Sequence, residues 1–196
     1  MKLIRPKGGR RMEETNGITV RVRVPGGGQG EPVLSGLIRR YGVTVNIQAA
    51  LFDPQNQAEA WLDLQLYGTA AALSACIAAM QARNWELISQ SPMTVVPGVV
   101  VPAPVSVPAE EGVQRSHIHV RVPKEACDVP IISGLVSGYG LVVNVRGGLL
   151  SPSREGDGWF DLEVQGTPTQ IQNGLAYLRQ QGLQVWQEEA QGDWSI

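Results

Sequence analysis

Cysteine is scarce in this chain: among 196 residues only Cys76 and Cys127 occur. Two thiols cannot build a disulfide framework, and so few of them point to a reducing, cytoplasmic setting. Charge is sparse as well, at 17% of residues, and balanced, with sixteen Lys and Arg against eighteen Asp and Glu. The net charge of −2 offers no basic excess to neutralise phosphates, so nucleic acid is not the expected partner. No apolar run reaches the roughly 18 residues that a transmembrane segment needs. The start, Met1-Lys2-Leu3-Ile4-Arg5-Pro6, is basic but lacks the apolar stretch that would follow in a secretory signal. There is no G-x-x-x-x-G-K-[ST] phosphate loop, no cysteine cluster and no nucleophile paired with a base. Catalysis is therefore not expected, and no cofactor is implied. Glycine and proline are plentiful, at 23 and 13, which suits short elements, many turns and a linker.

The chain repeats itself. Arg23-Val24-Pro25 returns as Arg121-Val122-Pro123, and Ser35-Gly36-Leu37 as Ser133-Gly134-Leu135. Tyr41-Gly42, Asn46, Pro54, Trp61, Asp63-Leu64 and Gly68-Thr69 return as Tyr139-Gly140, Asn144, Pro152, Trp159, Asp161-Leu162 and Gly166-Thr167. Every match lies 98 residues on, with no gap, which identifies a tandem duplication. The reading is a basic tail over 1–17, a first domain over 18–90, a Pro/Val-rich linker over 91–115, a second domain over 116–189 and a short tail over 190–196. Val-Pro and Ala-Pro steps hold the linker extended, as a semi-rigid spacer.

Each copy reads as one folding unit. Ile18, Val20, Val22 and Val24 alternate with polar residues, the period of a half-buried strand, as do Ile118, Val120 and Val122. Pro32 and Pro130 suit a helix start, and Gly42 and Gly140 a helix end. Two more strands follow, the first with Val43, Val45, Ile47, Ala49 and Leu51 expected on one face. A second helix then begins at Gly68-Thr69 or Gly166-Thr167, and Thr167-Pro168-Thr169-Gln170 has the form of a capping box. Asn84 and Gly182 suit the left-handed residue after that helix, and a last strand closes the unit. The order βαββαβ gives an α+β fold, a ferredoxin-like sandwich built twice, with both helices on one sheet face.

The other sheet face stays open. Alternation places Arg23, Asn46, Trp61 and Asp63 there, and likewise Arg121, Asn144, Trp159 and Asp161. Exposed tryptophans on so small a unit point to burial against each other or against another subunit. Arg23 and Asp63 are candidates for a cross-strand ion pair. The Gly26–Gly30 run reads as a flexible loop rather than an anion cradle, since Lys124-Glu125-Ala126-Cys127-Asp128 stands there in the second copy. His117, His119 and Cys127 are the nearest approach to metal-ligand spacing, but solvated histidines at a strand start are the commoner case, so no metal is expected. Cys76 lies on an apolar helical stripe and reads as core.

The run Pro32-Val33-Leu34-Ser35-Gly36-Leu37-Ile38-Arg39-Arg40-Tyr41-Gly42-Val43-Thr44-Val45-Asn46-Ile47, followed by the Gly-Thr helix start, resembles the NIL domain in both copies. That module is found at the carboxyl end of methionine-importer ATPases and in some small ferredoxins. The resemblance implies a ferredoxin-like, ACT-like fold and paired domains that bind a small ligand, methionine in the importers, at their interface. It maps the signature asparagine onto Asn46 and Asn144. Here the signature continues as Ile47-Gln48 and Val145-Arg146, which adds Gln48 and Arg146 to the expected ligand site. The expected function is a non-enzymatic regulatory module that binds a small ligand such as an amino acid. Its copies pair within the chain or across a homodimer. The alternative is an adaptor that docks a larger protein complex through the Trp face, the linker and the basic tail.

Overall fold

In each copy the apolar alternation produces strands that bury one side. β1 (Asn16–Val24) buries Val20, Val22 and Val24, and β3 (Ala60–Gly68) buries Leu62, Leu64 and Leu66. Between them run α1 (Val33–Tyr41) and β2 (Thr44–Phe52); after β3 come α2 (Ala70–Gln81) and β4 (Glu86–Met93). The second copy repeats this order with β5 (Gln114–Val122), α3 (Ile131–Ser133), β6 (Val142–Leu150), β7 (Gly158–Gly166), α4 (Pro168–Gln180) and β8 (Gln184–Gln187). These elements come from a computed structural model that describes residues 15–25, 32–52, 59–93, 112–151, 153 and 156–188.

The local signals explain where the helices begin and end. Gly42 closes α1 with φ 64°, and Gly140 occupies the equivalent turn with φ 70°. Asn84 and Gly182 take φ 60° and 82° after α2 and α4. The Thr167 hydroxyl accepts from the Gln170 N–H at 3.2 Å, and the Gln170 side chain accepts from the Thr167 N–H at 2.8 Å, which completes the expected capping box.

All eight strands form one sheet, in the order β4-β1-β3-β2-β6-β7-β5-β8. Within each copy the first and third strands are neighbours, as in a ferredoxin-like fold. The copies join where the ends of β2 and β6 run antiparallel, pairing Ala50 with Leu150, Leu51 with Leu149 and Phe52 with Gly148. The buried apolar residues of the two copies form a single cluster.

One helix differs between the copies. After Ser133, α3 widens into a π-helical stretch over Gly134–Gly138, whereas α1 is regular. A Cβ on Gly134 would come within 2.4 Å of the buried Tyr177 hydroxyl, but a Cβ on Gly36 would meet nothing within 4 Å. The tyrosine replaces Ala79 of the first copy, and its ring occupies the space above the wider turn.

Three expected boundaries move. Asn16 and Gly17 enter β1 rather than a tail, β4 runs through Ser91 and Pro92 to Met93, and β5 already includes Gln114 and Arg115. Pro92 is tolerated because β4 is an edge strand. The rest of the linker from 94 to 111, the Gly26–Gly30 run, most of the basic tail and residues 189–196 lie outside the described residues.

Candidate functional site

Beyond the three pairs that join β2 to β6, the two strands diverge, and a helix start from the opposite copy fills each gap. Ser133 donates its hydroxyl to the Val45 carbonyl at 3.1 Å and accepts from the Val45 N–H at 2.7 Å. Reciprocally, Ser35 donates to the Val143 carbonyl at 2.6 Å and accepts from the Val143 N–H at 2.8 Å. Both serines are buried. Each hydroxyl thus satisfies a donor and an acceptor that a neighbouring strand would otherwise satisfy. Arg39 adds a hydrogen bond to the Gly140 carbonyl across the same seam. The sequence reading assigned no role to these serines. The available signal was an identical hydroxyl, 98 residues apart, within an otherwise apolar helical stripe.

Asn46 lies at one end of this seam and is 3% exposed. Its side-chain amide reaches the Gln65 side-chain oxygen and the Cys127 carbonyl, each at 3.5 Å, the outer limit for such bonds. Tyr67 donates to the same Gln65 oxygen at 3.0 Å. Burial pushes the Tyr67 phenol up, and the Asp128 carboxylate nearby adds to the shift. Strands of the first copy and the β5–α3 loop of the second therefore build one polar corner. Its cavity, lined by Asn46, Ile47, Cys127, Val129 and Ile131 among others, holds about 10 Å³. That is no more than a water's worth of space, far below the ~300 Å³ of a small-molecule pocket.

Asn144 is the equivalent buried residue in the second copy, and the loop that would flank it, 26–31, lies outside the described residues. Gln48 and Arg146 sit at matching register shifts in β2 and β6, where a bulge takes them out of simple alternation. Arg146 reaches Glu163 at 3.4 Å. The four expected ligand residues do not surround one site. Asn46 and Asn144 each stand five residues before the central pair Leu51 and Leu149 on antiparallel strands, which puts them roughly 30 Å apart.

The open face carries a row that crosses all eight strands: Glu86, Arg23, Trp61, Leu51, Leu149, Trp159, Arg121 and Gln184 are successive cross-strand partners. Each residue in the first half stands 98 positions before its mate in the second, so a pseudo-two-fold axis passes between Leu51 and Leu149. The two tryptophans do not bury each other, because both leucines separate them. Trp61 remains 40% and Trp159 43% exposed.

The expected ion pair shifts by two residues. Apolar pairing of Val20 with Leu64 and Val22 with Leu62 sets a register in which Arg21, not Arg23, faces Asp63. Arg21 donates to both Asp63 oxygens at 2.6 Å, and this contact raises the guanidinium pKa further. Arg23 instead reaches Glu59 at 3.2 Å, contacts Glu86 and lies 6.0 Å from the Trp61 ring centre. In the second copy Arg121 donates to Asp157 at 2.8 Å, Asp161 faces His119 across the strands, and the Arg121 guanidinium holds the Asp157 carboxyl below its usual range. His117 and His119 lie near Glu163 and Glu188, at 3.7 and 3.1 Å. Cys127 is buried in its loop and donates to the Pro123 carbonyl. Cys76 is buried in the core, as expected, and burial pushes its thiol up to about 11.

A model of the NIL domain matches residues 18–87 and 116–187. An uncharacterized protein of Synechococcus elongatus is 35% identical over 71 residues, which cover 36% of this chain and 88% of that protein. Among solved structures, an unknown protein from Galdieria sulphuraria is similar over 90% of this chain and 99% of its own, with 12% identity and a TM-score of 0.31. The acetolactate synthase small subunit from Thermotoga maritima is similar over 90% and 98%, with 13% identity and a TM-score of 0.23. No helix among the described residues is long and apolar enough to cross a membrane.

Proposed function

This chain belongs to the NIL-domain family, and from that membership we propose that it is a regulatory module without catalytic activity, whose paired copies respond to a small polar ligand such as an amino acid. The ligand binds at the seam corner of Asn46, where it takes over hydrogen bonds now made by the other copy's loop. The supporting observation is a buried asparagine whose amide meets the Gln65 oxygen and the Cys127 carbonyl at 3.5 Å each. A buried amide held at that length gives up part of the stabilisation that good geometry provides. A ligand carboxylate placed on the Asn46 amide, with its ammonium near Asp128, recovers it. The 10 Å³ cavity requires the 124–129 loop to move aside on binding, so entry couples directly to the contact between copies.

Calorimetry against methionine and a panel of amino acids tests this reading. At least one member should bind the wild type and fail to bind a folded Asn46→Ala variant. Absence of heat across the whole panel, with folded protein, sinks the amino-acid version.

A further inference from the structure

Among the described residues, nothing covers the apolar centre of the open sheet face. Leu51 is 56% exposed and Leu149 49%, with Trp61 and Trp159 outside them in the same cross-strand row. A depression of about 330 Å³ opens between Trp61 and Leu149. Together the four side chains present on the order of 400 Å² of contiguous apolar surface, the size of the largest and often functional patch on a typical monomer. The stripe is only one row wide, and the Arg21–Asp63 pair flanks it. Such a shape suits an extended segment better than a second flat sheet, which would have to bury that ion pair.

The chain holds a segment of matching chemistry. Residues 94–109 contain no charge and include Val95, Val96, Val99, Val100, Val101, Val105 and Val107 with four prolines. A spacer that is merely solvated is rich in Gly, Ser or charge, not in valine. Its attachment points fix its route. Met93 ends β4 at one margin of the sheet, opposite Gly17; Gln114 begins β5, seventh in the order, and is the repeat equivalent of Asn16 beside Gly17. The two ends are therefore close to symmetry-related, and the line between them passes over the axis between Leu51 and Leu149.

Six strand spacings at ~4.8 Å, with about seven residues of rise on either side of the row, separate the ends by roughly 35–55 Å, depending on sheet twist. Polyproline-type chain at ~3.1 Å per residue lets residues 94–113 span about 65 Å. That covers the direct route across the open face. Passing over the helices adds on the order of 30 Å for climbing and descending that layer, which leaves almost no slack. Strand twist, combined with a right-handed β1–α1–β2 crossover, also turns both attachment corners toward the open face.

We propose that the Trp61–Leu51–Leu149–Trp159 row is an intramolecular docking surface for this chain's own Val/Pro segment, residues 94–109, received as extended polyproline-like chain on an aromatic-flanked stripe. The surface and the segment account for each other: each would be unfavourably exposed alone.

The test uses the full chain with a photoreactive phenylalanine analogue at Ala103, midway between the attachment points. Irradiation should give an intrachain crosslink, at monomer mass, to peptides carrying Leu51 and Trp61 or Leu149 and Trp159. The doubly substituted Trp61→Ser, Trp159→Ser protein should lose that crosslink while retaining its circular dichroism spectrum. A crosslinked dimer, capture on α2 or α4, or no capture at all would overturn the proposal. A second measurement leaves the folded copies untouched. Replacing residues 95–107 with Gly/Ser of equal length should raise acrylamide quenching of Trp61 and Trp159, and unchanged quenching would also overturn it.

Discussion

Replacing Ser133 by alanine probes the seam with one oxygen atom. The hydroxyl bonds both the N–H and the C=O of Val45, at 2.7 and 3.1 Å, and Val45 itself is fully buried. Ser133→Ala leaves that donor and that acceptor without a partner, and each such group costs about 1–3 kcal/mol. Rescue by water is limited, since the neighbouring cavity of about 10 Å³ stands at the lower bound for one molecule. Alanine returns a few tenths of a kcal/mol through helix propensity. The net loss is about 2–5 kcal/mol, or roughly 5–20 °C in Tm for a chain of this size. Ser35→Ala should behave alike through Val143, and because the two sites share no partners their effects should add. Urea denaturation of the two single variants and the double variant measures all three. A loss below about 0.5 kcal/mol for Ser133→Ala would refute the reasoning, because surface substitutions away from any contact fall within that range.

The paired glycines should respond with opposite signs. Gly36→Ala meets open space in a regular helix and should raise Tm by up to about 1 kcal/mol equivalent, whereas Gly134→Ala drives a Cβ into Tyr177 and should lower it by about 1–3 kcal/mol equivalent. Differential scanning fluorimetry reads both. Acid should weaken the second copy's margin. The Asp157 pKa is lowered from 3.8 mainly by the Arg121 hydrogen bond, so its contribution is complete above that value and fades as pH falls through the lowered one. Amide exchange along β5 between pH 5 and 2.5 should show the loss, and Asp157→Asn should remove the pH dependence. Cys76, with its thiol pushed up to about 11, should resist alkylation at pH 8 in the native protein. Cys127 should become reactive when an Asn46-corner ligand displaces its loop, which mass spectrometry can follow with Cys76 as the internal control.

What the sequence disclosed, and what it did not, divides along physical lines. Local signals were readable: the Thr167–Gln170 box, Asn84 and Gly182 at positive φ, and the inward faces of β1, β3, β5 and β7 followed from short-range chemistry. The strand order within each copy came from the resemblance and from the general habits of this fold. Partner register was not readable. Strand periodicity assigns Arg21, Arg23, Trp61 and Asp63 to one face but leaves a slip of two residues undetermined, which is how Asp63 was matched with Arg23 instead of Arg21. The bulge at Gln48 breaks alternation with no glycine beside it and turns Leu51 to the open face instead of the inward one; at Arg146 the adjacent Gly147 is the one local sign. Long-range geometry was the most hidden. Nothing local in Ser35 or Ser133 indicates that each bonds a strand about a hundred residues away, or that β2 and β6 merge two sheets into one. Hence Asn46 and Asn144 were expected together at one ligand site, while the antiparallel β2–β6 seam sets them apart. The offset of 98 did contain the symmetric row across the open face, but only the β2–β6 pairing turns matched residues into neighbours.

The central claim is that two NIL copies form one sheet whose diverging inner strands are each capped by a serine from the other copy. Amide hydrogen exchange at Val45 and Val143 tests it most directly, resolved by NMR in the full chain without ligand. These N–H groups should exchange as slowly as those of the central strand pairs, with protection that falls selectively at Val45 in Ser133→Ala and at Val143 in Ser35→Ala. Rapid exchange of both in the wild type, as on a bare sheet edge, would contradict the shared seam and the coupling between ligand and copy contact that depends on it.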